Sequence, residues 1–207
     1  MMKLYFHPMS HNSRRARSVA LHLGVSFEPV VVDVPSGAHK KPEFLAVNPR
    51  GMIPVLDDDG FIVADSTAIG LYLAEKAKSD ILPTDLKARS SVMQWLSFEQ
   101  CHFNPACTTI IFENLFKKLF GGTTDEKAVE AATEKFHRHA TVLDAQLGKT
   151  DFLAGNKVTL ADFACASPLS MAVPAKIPTE KYKNIGRWLE KMNTVPGWKD
   201  SAPPPMG

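Results

Sequence analysis

The sequence predicts a small α/β unit of order β-α-β-α-β-β-α followed by an all-helical domain. Three observations predict it: strand and helix signals alternate over the first eighty residues, a hairpin signal sits at "DDDG", and strand signals vanish after "KSDILPTDLKARS". The expected boundaries are residues 1–80, a linker at 81–86, and 87–207. "KLYF" reads as the first strand. Ala16, Val19, Ala20 and Leu23 then fall at i, i+3, i+4, i+7, and Gly24 closes that helix. "FEPVVVDV" (27–34) is a second strand, and its apolar run predicts burial on both faces. "PEFLAV" is a short helical turn. "PVLD" and "FIVA" flank the Asp-Gly turn of a hairpin, and Ile69, Tyr72 and Leu73 mark a third helix.

In the second domain Val129, Ala132, Phe136, Leu143 and Leu147 hold helical spacing across about five turns. "TLAD" (159–162) is a capping box, its hydroxyl and carboxylate meeting free N–H groups at a helix start. Ile185, Trp188, Leu189 and Met192 mark a further helix. Pro105 is expected to end or kink the helix that contains it, and "APPPMG" is expected to fray.

Composition narrows the function classes. The chain has 207 residues, 44% hydrophobic and 22% charged, as a protein with a real core requires. Its 24 basic residues barely exceed its 22 acidic ones, and Lys40-Lys41 and Lys117-Lys118 are isolated doublets, which argues against nucleic acid. No run approaches the ~18 apolar residues of a membrane span, and the opening residues do not form a signal peptide. The three cysteines, Cys101, Cys107 and Cys165, make no CxxC pair. A reducing cytoplasm is therefore expected, with Cys101 and Cys107 as small buried hydrophobes. The seven histidines lack ligand spacing, so no metal site is expected.

Five stretches in one order carry a resemblance: "HPMSHNSRRAR", "AHKKPEFLAVNPRGMIPVL", "ADSTAIGLYLAEK", "WLSFEQCHFNP" and "DFLAGNKVTLADF". Together they resemble the cytosolic glutathione transferases across nearly the whole chain, most closely the serine-type phi class or a bacterial offshoot of it. The resemblance implies a thioredoxin-like first domain, a helical-bundle second domain, a homodimer, and glutathione as co-substrate with no other cofactor. The implied activity is addition of the glutathione thiolate to small hydrophobic electrophiles, a detoxifying reaction, with hydroperoxide reduction beside it. A glutathione-binding carrier without catalysis is the alternative, because a scaffold does not fix a function. A glutaredoxin-type thiol enzyme is disfavoured, since residues 7–15 contain no cysteine.

The resemblance also implies site residues. Pro54 is a cis-proline in the family, with Ile53 pairing its backbone with the ligand peptide. Asp65 and Ser66 stand at a helix start, where free N–H groups and the helix dipole receive the γ-glutamyl carboxylate. Asp65 is shorter than the family's usual Glu. His39 and Lys40 match a pair that meets the glycyl carboxylate. Met52 departs from the usual Gln or Lys and is a poorer partner there. Ser10 matches the active serine, with Ser13 and Tyr5 as alternatives. Met9, Phe112 and Phe116 are candidates for an apolar electrophile wall, against the ordinary reading of aromatic residues at this spacing as core.

Overall fold

The computed structural model describes residues 1–203, so the last four residues of the expected frayed tail lie outside the described residues. The chain forms two compact units: Met1–Ser79 joined by the segment from Val195, and Asp80–Thr194. The sequence reading assigns all of 87–207 to the helical domain. The segment from Val195 instead groups with the first unit.

In the first unit the elements are β1 (Lys3–Phe6), α1 (His11–His22), β2 (Glu28–Val31), a 3₁₀ turn at Ala38–Lys40, α2 (Pro42–Val47), β3 (Val55–Asp58), β4 (Phe61–Ala64) and α3 (Ser66–Lys76). The sheet order is β2-β1-β3-β4. β1 pairs β2 in parallel, as a helical crossover requires, and the other pairings are antiparallel. Asp59 and Gly60 both have positive φ, 52° and 94°, which is the backbone of a two-residue hairpin turn. Leu4, Val55 and Leu56 of the sheet are fully buried, as are Ala16 of α1 and Ile69 and Leu73 of α3.

β2 departs from expectation. It lies at the sheet edge, with Glu28, Pro29 and Val31 exposed, so it is not buried on both faces. Pro29 fits an edge because it has no N–H to offer a neighbour, and the valines report strand propensity rather than burial. Val32, just past the strand, does reach the core.

The last segment is held on α1. The Arg14 guanidinium lies 3.8 Å from the Trp198 ring centroid and donates to the Trp198 carbonyl at 3.2 Å. Trp198 is 2% exposed. Gly197 passes so close to α1 that a Cβ there would stand 2.3 Å from the His22 nitrogen. Burial, and next the neighbouring Arg17, push the Arg14 guanidinium down to about 10.

The second unit contains α4 (Leu86–Phe98), α5 (Asn104–Ile111), α6 (Lys117–Leu119), α7 (Glu126–Leu147), α8 (Leu160–Leu169), α9 (Ala172–Ala175) and α10 (Lys183–Met192). A π-helical turn, Glu99–Phe103, joins α4 to α5, and Pro105 occupies the first turn of α5. That turn absorbs the bond Pro105 cannot donate and lets the helix run on. Ala132, Phe136, Ala140, Leu143 and Leu147 form the buried stripe of α7. Asp162 is buried at the start of α8 and accepts from the Leu153 and Thr159 N–H groups, both at 2.9 Å, the Thr159 hydroxyl at 3.0 Å and the Trp188 indole at 3.1 Å. Burial still pushes its carboxyl up to about 6 against those donors. Among the described residues no helix is long and apolar enough to cross a membrane.

Candidate functional site

Strand register gathers the expected residues at one end of the sheet. Tyr5 pairs with Val55 and Val55 with Ala64, so the exits of β1 and β4 flank the entrance of β3. Pro54 precedes Val55, Asp65 follows Ala64, and the loop His7–Ser10 follows Phe6. Phe6 also pairs with Val31, whose strand leads toward His39 and Lys40. The N-termini of α1 and α3 therefore open at this same end.

Ser10 is the N-cap of α1, accepting the Ser13 N–H at 3.2 Å while its backbone N–H bonds the His7 carbonyl at 3.0 Å. It is half-buried, and accepting a bond leaves its O–H free in principle to donate. Ser13 is fully buried and its oxygen accepts the His7 N–H at 3.3 Å. Tyr5 packs edge-on against Phe44 at 6.0 Å in a core cluster with Val32 and Val55. His7 accepts the Met9 N–H at 3.2 Å, and burial, against the Asp33 charge, holds its imidazole below the usual value.

The Ile53-Pro54 bond is cis. Asp65, at φ 73°, makes no side-chain cap to α3. Its carboxylate instead takes both Arg50 terminal nitrogens at 2.8 Å, and that pairing raises the guanidinium above its ordinary value. Ser66 is 6% exposed at the first position of the helix. Next to it the Thr67 hydroxyl accepts from Arg15 at 2.9 Å, a buried bond that ties α1 to the start of α3.

The third wall is the loop before Pro54. Lys40 donates to the Gly51 carbonyl at 3.2 Å, and buried Asn48 donates to the Met52 carbonyl at 2.8 Å. Gly51 has φ 59°, and a Cβ there would stand 2.8 Å from the His39 carbonyl. The His39 Nδ1 is buried without a hydrogen-bond partner among the described residues, and burial, then Lys40, lower its imidazole. Met52 is 54% exposed, and Ile53 half-buried. The wall candidates fall in different units: Met9 is half-buried in the first, while Phe112 and Phe116 lie on a π-helical turn of the second, Phe112 exposed. Cys107 is buried as expected, but Cys101, within the π turn, is exposed.

Two family models match the chain: the glutathione S-transferase N-terminal domain over residues 4–80 and its C-terminal domain over 98–196. The chain belongs to the glutathione S-transferase family. Glutathione S-transferase F10 of Arabidopsis thaliana is 34% identical, over 97% of this chain and 96% of its own. The crystal structure of glutathione transferase F7 from Populus trichocarpa superimposes with a TM-score of 0.90 at 33% identity, covering 98% of both chains. A glutathione S-transferase-I bound with lactoylglutathione gives 0.88 at 31% identity, over 97% of this chain and 98% of that one. These relatives are phi-class, in keeping with the motifs.

For a transferase, the sequence reading missed three supports: Arg50 on Asp65, Arg15 on Thr67 and Asn48 under Met52. Arginines inside "HPMSHNSRRAR" and "NPRG" gave the only signal, and residue type alone does not say what a guanidinium will bond.

Proposed function

We propose that this glutathione transferase activates its co-substrate with the Ser10 hydroxyl and conjugates the thiolate to small hydrophobic electrophiles. Glutathione is the family's co-substrate, and no further cofactor enters this reading. The free thiol has a pKa of about 8.5, so only a few per cent is thiolate at neutral pH. Lowering it by about two units takes ~2.7 kcal/mol of preferential interaction with the anion. A hydrogen bond to a charged group supplies about 1.5–3 kcal/mol, and the start of α1 about 0.3–1 kcal/mol more. One donor is sufficient in size.

The observation that carries the choice of Ser10 is its contrast with Ser13: the first is half-buried at the helix mouth, the second wholly enclosed. Tyr5 serves the core. Around Ser10, the start of α3 at Ser66 takes the γ-glutamyl carboxylate, Asp65 the ammonium, Ile53 beside Pro54 the peptide backbone, and His39 with Lys40 the glycyl carboxylate. Met52 contributes only apolar contact. Met9 of the first unit and, by itself, the Phe112–Phe116 turn of the second are the apolar candidates for contact with the electrophile. The working form is a cytoplasmic homodimer, and hydroperoxide reduction by a second glutathione is a side activity.

Ultraviolet titration of the bound thiol tests the reading. A pKa near 6.5 is expected, and a curve matching free glutathione would overturn it. Conjugation to 1-chloro-2,4-dinitrobenzene separates enzyme from carrier: retention on immobilised glutathione without turnover would leave a carrier.

A further inference from the structure

Arg50 reaches from the loop before Pro54 to the residue that opens α3. Its two terminal nitrogens hold the two Asp65 oxygens at 2.8 Å each, a fork of two charge-assisted bonds. The loop that carries Arg50 is preset. Its N–H donates to the buried Asn48 amide oxygen at 3.2 Å, and the Asn48 amide donates to the Met52 carbonyl at 2.8 Å. Asp65 sits at φ 73°, a backbone region that side chains rarely adopt, and its carboxylate gives α3 no cap. The two side chains are 54% and 57% exposed, so water screens the pair and stability does not account for it. The fold thus holds a costly backbone for a pair that does little for it, which is how ligand-contacting residues are often placed.

The γ-glutamyl end of glutathione is a free α-amino acid, with an ammonium and a carboxylate on one carbon. An arginine–aspartate pair is the electrostatic complement of that group. The fork uses two of the five N–H donors of the guanidinium and leaves further lone pairs on the carboxylate. Each member can therefore take a ligand group while keeping part of its contact with the other. We propose that Arg50 is a specificity-determining residue for the co-substrate, binding the γ-glutamyl carboxylate beside Ser66 while Asp65 holds the ammonium. This rests on the reading of Asp65 and Ser66 as the glutamyl end of the site. The four charges then alternate, so the pair is extended by the ligand rather than broken. A ligand that lacks the carboxylate gains nothing from Arg50. All of these groups lie within Met1–Ser79.

The experiment follows conjugation to 1-chloro-2,4-dinitrobenzene by the full-length protein with three thiols. They are glutathione, 4-aminobutanoyl-cysteinylglycine, which lacks the α-carboxylate, and glutaryl-cysteinylglycine, which lacks the ammonium. Arg50→Ala should raise the KM for glutathione about tenfold, as loss of one charge-assisted contact at a half-open site requires. Its kcat should stay within about twofold, and the melting temperature should hold. The KM for the glutaryl thiol should rise by a similar factor. That for the 4-aminobutanoyl thiol should change less than about twofold, because it offers Arg50 no carboxylate. The proposal falls if Arg50→Ala penalises the 4-aminobutanoyl thiol as much as glutathione, since Arg50 would then act only by orienting Asp65 toward the ammonium. It falls alone if Arg50→Ala leaves the glutathione KM unchanged while Asp65→Asn raises it. If neither substitution moves that KM, the glutamyl assignment of Asp65 falls with it.

Discussion

Ser10 and Ser13 carry the same hydroxyl three residues apart, and their surroundings assign them different work. Ser13 is enclosed and accepts the His7 N–H, so Ser13→Ala should cost about 1 kcal/mol of stability through the lost bond of a part-buried donor. It should leave the bound thiol where it was. Ser10→Ala should cost a similar amount through lost helix capping, about 1 kcal/mol, and raise the bound thiol pKa by at least one unit. The sign is fixed by which form is stabilised. A donor favours the thiolate, so its removal raises the pKa, and the rate deficit should be largest near pH 6.5 and shrink as solution pH ionises the thiol unaided. Equal titration curves for Ser10→Ala and wild type would remove Ser10 from the chemistry. Sequence spacing kept both serines and Tyr5 in play because burial, which separates them, is a tertiary property. Asp65 is the other instructive residue. Both partners of the Arg50–Asp65 pair are exposed, so water screens it and it adds little to stability. Asp65→Asn should therefore barely move the melting temperature, yet raise the KM for glutathione about five- to tenfold, as loss of about 1–1.4 kcal/mol of ammonium binding requires. An unchanged KM would remove Asp65 from the ammonium contact.

At the level of elements, the legible features were those set by local rules. The hairpin turn follows from Asp-Gly and the start of α8 from Thr159 and Asp162, because turn backbone and helix caps depend on neighbours a few residues away. β2 was misread because an edge strand and a central strand draw on the same β-branched residues, and only the sheet order distinguishes them. The reach of the capping box was also hidden: Asp162 gathers donors from the loop at Leu153 and from α10 at Trp188. Asp162→Asn would turn an amide N–H₂ toward those donors. It should cost about 2–4 kcal/mol and lower the melting temperature by roughly 5–12 °C, and a shift under 2 °C would show that the network is not what anchors α8. Gly51 tests the loop before Pro54. Its positive φ and the 2.8 Å approach to the His39 carbonyl leave no room for a methyl group. Gly51→Ala should displace His39 and Lys40 and raise the KM for glutathione more than it lowers kcat. Loss of kcat alone would mean that the loop does not bind the peptide.

For the whole molecule, the two-part division was legible from the abrupt loss of strand signals, but the return of the chain to the first unit was not. Nothing local in "TVPGWKDS" says that Trp198 will lie under Arg14; the pairing spans most of the chain and depends on Gly197 fitting against α1. Surface chemistry is equally a property of the assembled fold. Phe61 and Ile62 on the outer strand β4 are exposed, and Phe61 leans on Tyr72 at 5.6 Å. Tyr72 and Lys76 both bond Asp58, which rims these apolar groups with polar ones. An apolar group at an open strand edge, ringed by hydrogen-bonding residues, is the pattern of a surface that a second chain covers. The proposed homodimer should therefore have a native mass twice the 22.8 kDa of one chain at low micromolar concentration. Phe61→Asp places a charge where that contact would be dry, and one uncompensated buried charge costs several kcal/mol. Light scattering should then find single-chain mass with the circular dichroism of the fold retained. A wild-type protein that already runs at single-chain mass would overturn the dimer, and an unchanged mass for Phe61→Asp would place the contact away from β4.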